Sequence, residues 1–162
     1  SDNRDKSIKS LIQEIQFATD LGIPFLVLHP GAHLGTGEAA GIRQIVAGLD
    51  EVFAATKISP VRIALENTAG QGSCLGYKLE HMADIMMQVD SPKRIAVCLD
   101  TAHLFAAGYD FRGRRKLGKV HEDGRRNRRN HADQGAPPQR FQEGTWEPGR
   151  STRPHRRRND WC

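Results

Sequence analysis

Apolar residues recur at helical spacing in three segments of the first 110 residues. In residues 6–21 the apolar positions fall on one face of a helix, and Gly22 follows at the place where a helix commonly ends. Residues 38–55 and 79–89 repeat the same spacing. The pattern therefore predicts three amphipathic helices.

A short apolar run follows each of these helices. The runs are IPFLVL at residues 23–28, VRIAL at 61–65 and RIAVCL at 94–99, and a Ser-Pro pair precedes the second and the third. Continuous apolar character of this length is typical of strands buried on both faces of a sheet. Helices that alternate with strands about 35 residues apart predict parallel βα units joined by right-handed crossovers.

Each predicted strand ends in a residue that is able to bind a metal or transfer a proton. The first delivers His29, the second Glu66 and the third Asp100. In a (β/α)8 barrel the carboxyl ends of the strands hold the active site, whereas an open doubly wound sheet concentrates its ligands at one switch point. Polar groups at three successive strand ends favour the barrel. The predicted fold class is thus α/β, a partial (β/α)8 TIM barrel of about three βα units.

The candidate ligands are nitrogen and oxygen donors. His103 lies three residues after Asp100, so both are able to project to one side, and together with His29 and Glu66 they form a set without a thiolate. Such donors suit zinc or manganese. The carboxylate of Glu66 is also able to bridge two metal ions.

Two further histidines are not placed among the ligands. His33 could be a ligand, but a loop residue after the first strand is the preferred interpretation. His81 lies on the third predicted helix beside Glu80 and Asp84, which predicts a solvated polar face.

Charge divides the chain at residue 110. Residues 1–110 contain nine Lys and Arg against thirteen Asp and Glu, a net charge of −4, whereas residues 111–162 contain fifteen against six, a net charge of +9. The second part has only four Leu, Ile, Val or Phe residues, too few to offset the entropy of ordering it. It is predicted to be a disordered basic tail. Binding of nucleic acid phosphates is an alternative role, but a solvated tail is the preferred interpretation.

Cysteine usage indicates a reducing, cytoplasmic setting. Cys74, Cys98 and Cys162 are odd in number and lack C-x-x-C spacing, which argues against a disulfide framework and a thiolate zinc site. No membrane-spanning run or signal peptide is predicted. The chain begins at Ser1 without a Met, which predicts a fragment of a longer protein.

Three sequence blocks resemble endonuclease IV, the zinc-dependent apurinic/apyrimidinic endonuclease family 2. They are HPGAHLG at residues 29–35, ALENTAGQG at 64–72 and CLDTAHLFAAGYD at 98–110, in the order and spacing of that family. The resemblance implies a xylose-isomerase-like barrel, a monomer with three Zn²⁺ ions, and repair of double-stranded DNA by base excision. The reaction is hydrolysis of the phosphodiester 5′ to an abasic site, with the damaged nucleotide turned out of the duplex.

The resemblance also implies a role for each ligand. His29 binds one zinc, Glu66 bridges that zinc to a second and is the catalytic residue, Asp100 binds the second zinc, and His103 binds the third. A (β/α)8 barrel typically needs about 250 residues, and the other ligand blocks of the family are absent as written. Residues 1–110 are therefore predicted to be the middle of a barrel. The fragment would lack the complete zinc cluster, and an unclosed sheet would expose edges and apolar faces. It is therefore predicted to have little or no activity and to be poorly soluble.

The tail carries a hypothesis of its own. The codons of residues 134–161, read in the next frame, are compatible with two further family blocks, HLNDSK and DRHAHIG, so a change of reading frame is predicted between residues 111 and 117. Two other functions remain open from the residues alone. One is a sugar isomerase or epimerase of the same superfamily, and the other is a nonenzymatic, basic nucleic-acid-binding fragment.

Overall fold

A three-stranded parallel sheet with helices packed against one face makes up the part of the chain that the structure describes. The computed structural model describes residues 2–112. The elements are α1 (Asp2–Asp20), β1 (Phe25–Leu28), α2 (Glu38–Ala55), β2 (Arg62–Glu66), α3 (Leu79–Gln88), β3 (Ile95–Cys98) and α4 (Thr101–Ala106), with one 3₁₀ turn at Pro92–Arg94. The three predicted helices and the three predicted strands are confirmed. The 3₁₀ turn was not predicted, and α4 was expected only as a loop or helical turn.

The strands lie in the order β1, β2, β3, and both pairs are parallel. Leu26 pairs with Ile63, which pairs in turn with Ile95. Because the strands are parallel and in register, their carboxyl ends share one edge of the sheet. The residues that follow the three strands are thus brought together, as the alternating pattern predicted.

Gly22 ends α1 and turns the chain into β1. Its φ of 67° is left-handed, a conformation that glycine adopts without strain. The Ile23 N–H donates to the Ala18 carbonyl at 2.8 Å, which satisfies a carbonyl in the last turn of the helix. The glycine signal in the sequence therefore located this helix end correctly.

The core lies between the sheet and the helices. Alternate strand residues such as Ile63, Leu65 and Ile95 are fully buried against the apolar faces of α1, α2 and α3, where Ile15 and Ile85 are equally buried. Burying one side chain of this size stabilises the fold by about 1.5–3 kcal/mol. This packing holds the strand ends, and hence the residues after them, in fixed relative positions.

The opposite face of the sheet is open. Phe25 and Val27 of β1 are 44% and 60% exposed, so the prediction that these strands are buried on both faces is wrong for β1. The apolar run was a correct signal for a strand, but within residues 2–112 no element covers this face. The exposed apolar face agrees with the expectation for a sheet that does not close on itself.

Several predictions concern residues outside the described part of the chain. These are the disordered basic tail, its affinity for nucleic acid, and the change of reading frame. Among the helices that the structure describes, none combines the length and the apolar character needed to cross a membrane.

Candidate metal centre

Three of the four predicted ligands come together at the carboxyl edge of the sheet. His29 directly follows β1, Glu66 is the last residue of β2, and His103 lies in the first turn of α4. One donor atom of each lies within 4.8 Å of the donor atoms of the other two. The His29 Nε2 atom is 2.9 Å from the Glu66 Oε2 atom, and the His29 and His103 rings meet edge to face, with their centroids 5.7 Å apart. We call these three residues the His-Glu-His group.

The donor set of the His-Glu-His group fits a divalent metal ion. Two imidazoles and one carboxylate form a known three-ligand set for catalytic zinc, which leaves one coordination position open. Two ligands bound about 2.1 Å from a tetrahedral zinc lie roughly 3.4 Å apart. The His29 Nε2 and Glu66 Oε2 atoms are in direct contact at 2.9 Å, so they would separate by about 0.5 Å to share an ion. The side chains of Glu66 and His103 are 20% and 34% exposed. Solvent and a substrate can therefore reach the group.

Asp100 adjoins the group, but its carboxylate serves another purpose in the structure. Its Oδ1 atom accepts a hydrogen bond from the His103 N–H at 2.9 Å, which makes Asp100 the N-cap of α4. This hydrogen bond, the largest contribution, lowers the pKa of the Asp100 carboxyl below its ordinary value. Its Oδ2 atom lies 3.9 Å from the His103 Nδ1 atom. The role of Asp100 as a metal ligand stays a prediction.

Asn67 is a site residue that the sequence interpretation missed. It is fully buried, with an exposure of 0%, and directly follows Glu66. Its side chain exchanges two hydrogen bonds with the backbone of Asp100, and its carbonyl lies 2.9 Å from the Nδ1 atom of His103. A polar residue at the end of a buried strand must find hydrogen-bond partners. That position was the signal available in the sequence.

The prediction of a solvated His81 is wrong. His81 is only 3% exposed and lies on the buried face of α3. Its Nδ1 atom accepts a hydrogen bond from the Gly76 N–H at 3.2 Å, and its Nε2 atom lies 3.2 Å from the Glu38 Oε2 atom. His81 precedes the buried Ile85 by four residues, a spacing that places both on one face of a helix. The acidic neighbours in sequence misled the interpretation.

Backbone hydrogen bonds join the loops that follow β1 and β2. The His33 N–H donates to the Ser73 carbonyl at 2.9 Å, and the Leu75 N–H donates to the Gly31 carbonyl at 2.8 Å. The His33 ring stays within its own loop, where its Nδ1 atom accepts from the N–H groups of residues 35 and 37. His33 is thus a loop residue, as expected, and lies outside the His-Glu-His group.

Glu38, the first residue of α2, ties the second of these loops to the helix. Its carboxylate accepts hydrogen bonds from the Lys78 ammonium at 2.8 and 2.9 Å and from the Tyr77 hydroxyl at 2.5 Å. These partners, Lys78 first, lower the pKa of Glu38 from 4.5 to about 2. Together with the hydrogen bonds between the loops, this network ties α2 to the loops that follow β1 and β2. We call these two loops, residues 29–37 and 67–78, the rim of the site.

Comparisons with known proteins agree with the fold. The profile of a family described as xylose isomerase-like TIM barrel matches residues 1–142. A probable endonuclease 4 of Nitrosopumilus maritimus is 46% identical over 116 residues, which cover 72% of this chain and 41% of that protein. A probable endonuclease 4 of Geobacter sulfurreducens is 47% identical over 110 residues, which cover 68% and 37%. The chain thus spans about two fifths of the length of these relatives.

A solved structure is also similar. The crystal structure of endonuclease IV from Thermus thermophilus superimposes with a TM-score of 0.60 at 30% sequence identity, covering 76% of this chain and 41% of that one. The resemblance inferred from the three sequence blocks is confirmed by these comparisons.

Proposed function

The chain belongs to the xylose isomerase-like TIM barrel family, and we propose that it forms part of a zinc-dependent DNA endonuclease acting in base excision repair. The reaction is hydrolysis of the phosphodiester on the 5′ side of an abasic site. The observation that carries the proposal is the convergence of His29, Glu66 and His103 at the carboxyl edge of the sheet. The names of the relatives, probable endonuclease 4, support DNA as the substrate.

In this chain the His-Glu-His group would hold one zinc ion through two imidazole nitrogens and a carboxylate oxygen. In the complete site of the whole protein, His29 and Glu66 would hold one ion and His103 another, as the family resemblance implies. When bound, zinc polarises a phosphoryl oxygen and lowers the pKa of water. Glu66 has the least exposed side chain of the three. Its carboxylate would therefore offset the positive charge of the zinc ion on the most buried side of the group. Asp100, whose pKa is lowered by the hydrogen bond from the His103 N–H, would add a further carboxylate for a second ion. We assign three zinc ions to the complete site of the whole protein.

The exposure of the site fits a large substrate. His29 is 55% exposed at its side chain, and the group opens at the edge of the sheet rather than into a closed cavity. A phosphodiester in a DNA backbone can approach such an edge, provided that the abasic nucleotide turns out of the duplex. A sugar isomerase of the same superfamily would also use residues at strand ends. The names of the relatives favour the nuclease.

A chimera tests the proposal. Residues 2–112 of this chain replace the aligned segment of the Nitrosopumilus maritimus relative, and the purified chimera is given a duplex with one abasic site. We expect a single cut 5′ to that site, which a chelator abolishes and added zinc restores. Glu66→Gln should reduce the rate by roughly 100-fold or more because it removes a ligand charge.

Glu80→Gln is the matched control, since it neutralises an exposed glutamate on α3 outside the site. It should leave the rate unchanged. A folded chimera that converts ketoses but leaves the duplex intact would favour the isomerase. Cutting that survives Glu66→Gln would contradict the assignment of the metal site.

A further inference from the structure

We propose that Asn67 is a positioning residue, which fixes the ring orientation of His103 and the backbone of Asp100 so that their donor atoms face the metal. The inference deepens the proposed function, on whose metal site it rests. Asn67 itself offers no ligand atom to the metal, because both ends of its amide and its carbonyl are already bonded within the protein.

The amide of Asn67 joins the end of β2 to the end of β3. The Asp100 N–H donates to the Asn67 Oδ1 atom at 2.7 Å, and the Asn67 Nδ2 atom donates to the Asp100 carbonyl at 3.1 Å. This pair continues the ladder beyond the last strand residues, where the Asn67 N–H donates to the Cys98 carbonyl at 3.3 Å. Only an amide side chain offers a donor and an acceptor in this arrangement, and glutamine is one methylene longer.

The carbonyl of Asn67 determines which nitrogen of His103 carries the proton. It lies 2.9 Å from the Nδ1 atom of His103, and a carbonyl oxygen can only accept a hydrogen bond. Nδ1 must therefore carry the hydrogen, which leaves the lone pair of Nε2 free for a metal. Hydrogen bonds of this kind commonly orient histidine ligands in metal sites.

The contacts of Asn67 converge on the two residues after β3. Its amide places the backbone of Asp100, and the Asp100 carboxylate in turn caps α4 at the His103 N–H. Its carbonyl places the His103 ring directly. Loss of the amide would release Asp100 N–H and C=O from their partners and free the first turn of α4 to shift.

The neighbouring Thr68 provides a matched control. Thr68 is also buried, and its hydroxyl donates to the Leu75 carbonyl at 3.0 Å, within its own loop. Thr68→Val therefore removes a buried hydrogen bond next to Asn67 whose two partners are not metal ligands. A variant that acts only by destabilising the loop should behave like Thr68→Val.

The experiment compares the full chain with its Asn67→Ala, Asn67→Asp and Thr68→Val variants. Nitrogen NMR of the neutral His103 ring in the metal-free chain reports the tautomer, and calorimetric titration with zinc reports affinity. We expect the Nδ1–H tautomer in the parent chain and in Thr68→Val. Asn67→Ala keeps the backbone carbonyl but loses the side-chain bonds to Asp100, so the first turn of α4 should shift, carry the His103 ring away from that carbonyl and give a mixture of tautomers. Zinc affinity should fall by about 10–100-fold in Asn67→Ala and stay unchanged in Thr68→Val.

The two readouts separate the two claims. The positioning role is supported if the parent chain has the Nδ1–H tautomer and Asn67→Ala does not. This holds even if neither the parent chain nor any variant binds zinc, since a failure to bind zinc would contradict only the proposed metal site. A folded Asn67→Ala chain that keeps the tautomer of Thr68→Val would overturn the positioning role. Should Asn67→Ala fail to fold, Asn67→Asp decides, because it keeps the size and the acceptor but loses the donor. A parent-like tautomer in Asn67→Asp would then overturn the positioning role, and an altered tautomer would support it.

Discussion

Gly41 is the point where α2 approaches the loop after β1, and an added methyl group there should disturb the rim of the site. A Cβ atom at residue 41 would lie 2.7 Å from the His33 Cβ atom, 3.0 Å from its Cα atom and 2.8 Å from the Leu75 Cδ1 atom. Gly48 lies in the same helix and would place a Cβ atom in open space. Gly41→Ala and Gly48→Ala are therefore a matched pair.

The expected free energies follow from two opposing effects. Alanine in a helix interior is favoured over glycine by about 1 kcal/mol, so Gly48→Ala should raise the free energy of unfolding by that amount. Gly41→Ala makes the same gain but adds an overpacking cost of about 1–3 kcal/mol. Because one clash involves the backbone of His33, a side-chain rotation cannot relieve it. The two variants should thus differ by roughly 1–3 kcal/mol.

Urea unfolding followed by circular dichroism measures this difference. We expect a higher midpoint for Gly48→Ala than for the parent chain and a lower midpoint for Gly41→Ala than for Gly48→Ala, with similar slopes. Equal midpoints for the two variants would show that α2 does not approach the loop at Gly41, and the packing described for the rim would be refuted.

Three more outcomes are expected. The folded pKa of Glu38 is about 2 against an ordinary 4.5, so its interactions stabilise the fold above pH 4.5 and lose this effect as the pH falls toward 2. The urea midpoint of the parent chain should therefore fall over this pH range, and Glu38→Gln should flatten that fall. An unchanged pH profile in Glu38→Gln would contradict the network around Glu38. Arg94 donates to the carbonyls of Val61 and Thr56 at 2.9 and 3.0 Å, an arrangement of two donors that lysine cannot reproduce. Arg94→Lys should lower the free energy of unfolding, measured by urea unfolding, by about 1–3 kcal/mol. Parent-like stability of Arg94→Lys would refute this expectation. The 162-residue chain alone should leave a duplex with an abasic site intact. Residues 2–112 offer one group of ligands for a single metal ion, whereas in-line displacement at phosphorus commonly uses two or more metal ions. Zinc-dependent cutting by this chain would overturn the expectation.

Periodicity located the elements of the fold because each helix has one apolar face and each strand is a short apolar run. The helix predicted at residues 38–55 has those bounds in the structure, and the two other helices differ by a few residues at their ends. Periodicity could not reveal that Val27 is exposed, since the same residues would be buried in a closed barrel. Burial depends on what faces the strand, which the local pattern does not contain.

The candidate site was predictable where a histidine, glutamate or aspartate ends a predicted strand or follows it within a few residues. His29, Glu66 and His103 converge for this reason. The supporting contacts were not predictable in the same way, because the Asn67 side chain acts on the backbone of a residue 33 positions away. His81 was misjudged from its neighbours in sequence rather than from its helical face.

The metal site itself is tested by zinc titration of the chain with single histidine variants. His29→Ala removes a member of the His-Glu-His group, whereas His33→Ala removes a histidine of the same loop that lies outside it. We expect the parent chain and His33→Ala to bind zinc with equal affinity, and His29→Ala to bind it roughly 100-fold more weakly. Equal zinc affinity of His29→Ala and His33→Ala, or a parent chain that binds no zinc, would contradict the assignment of this group as a metal centre.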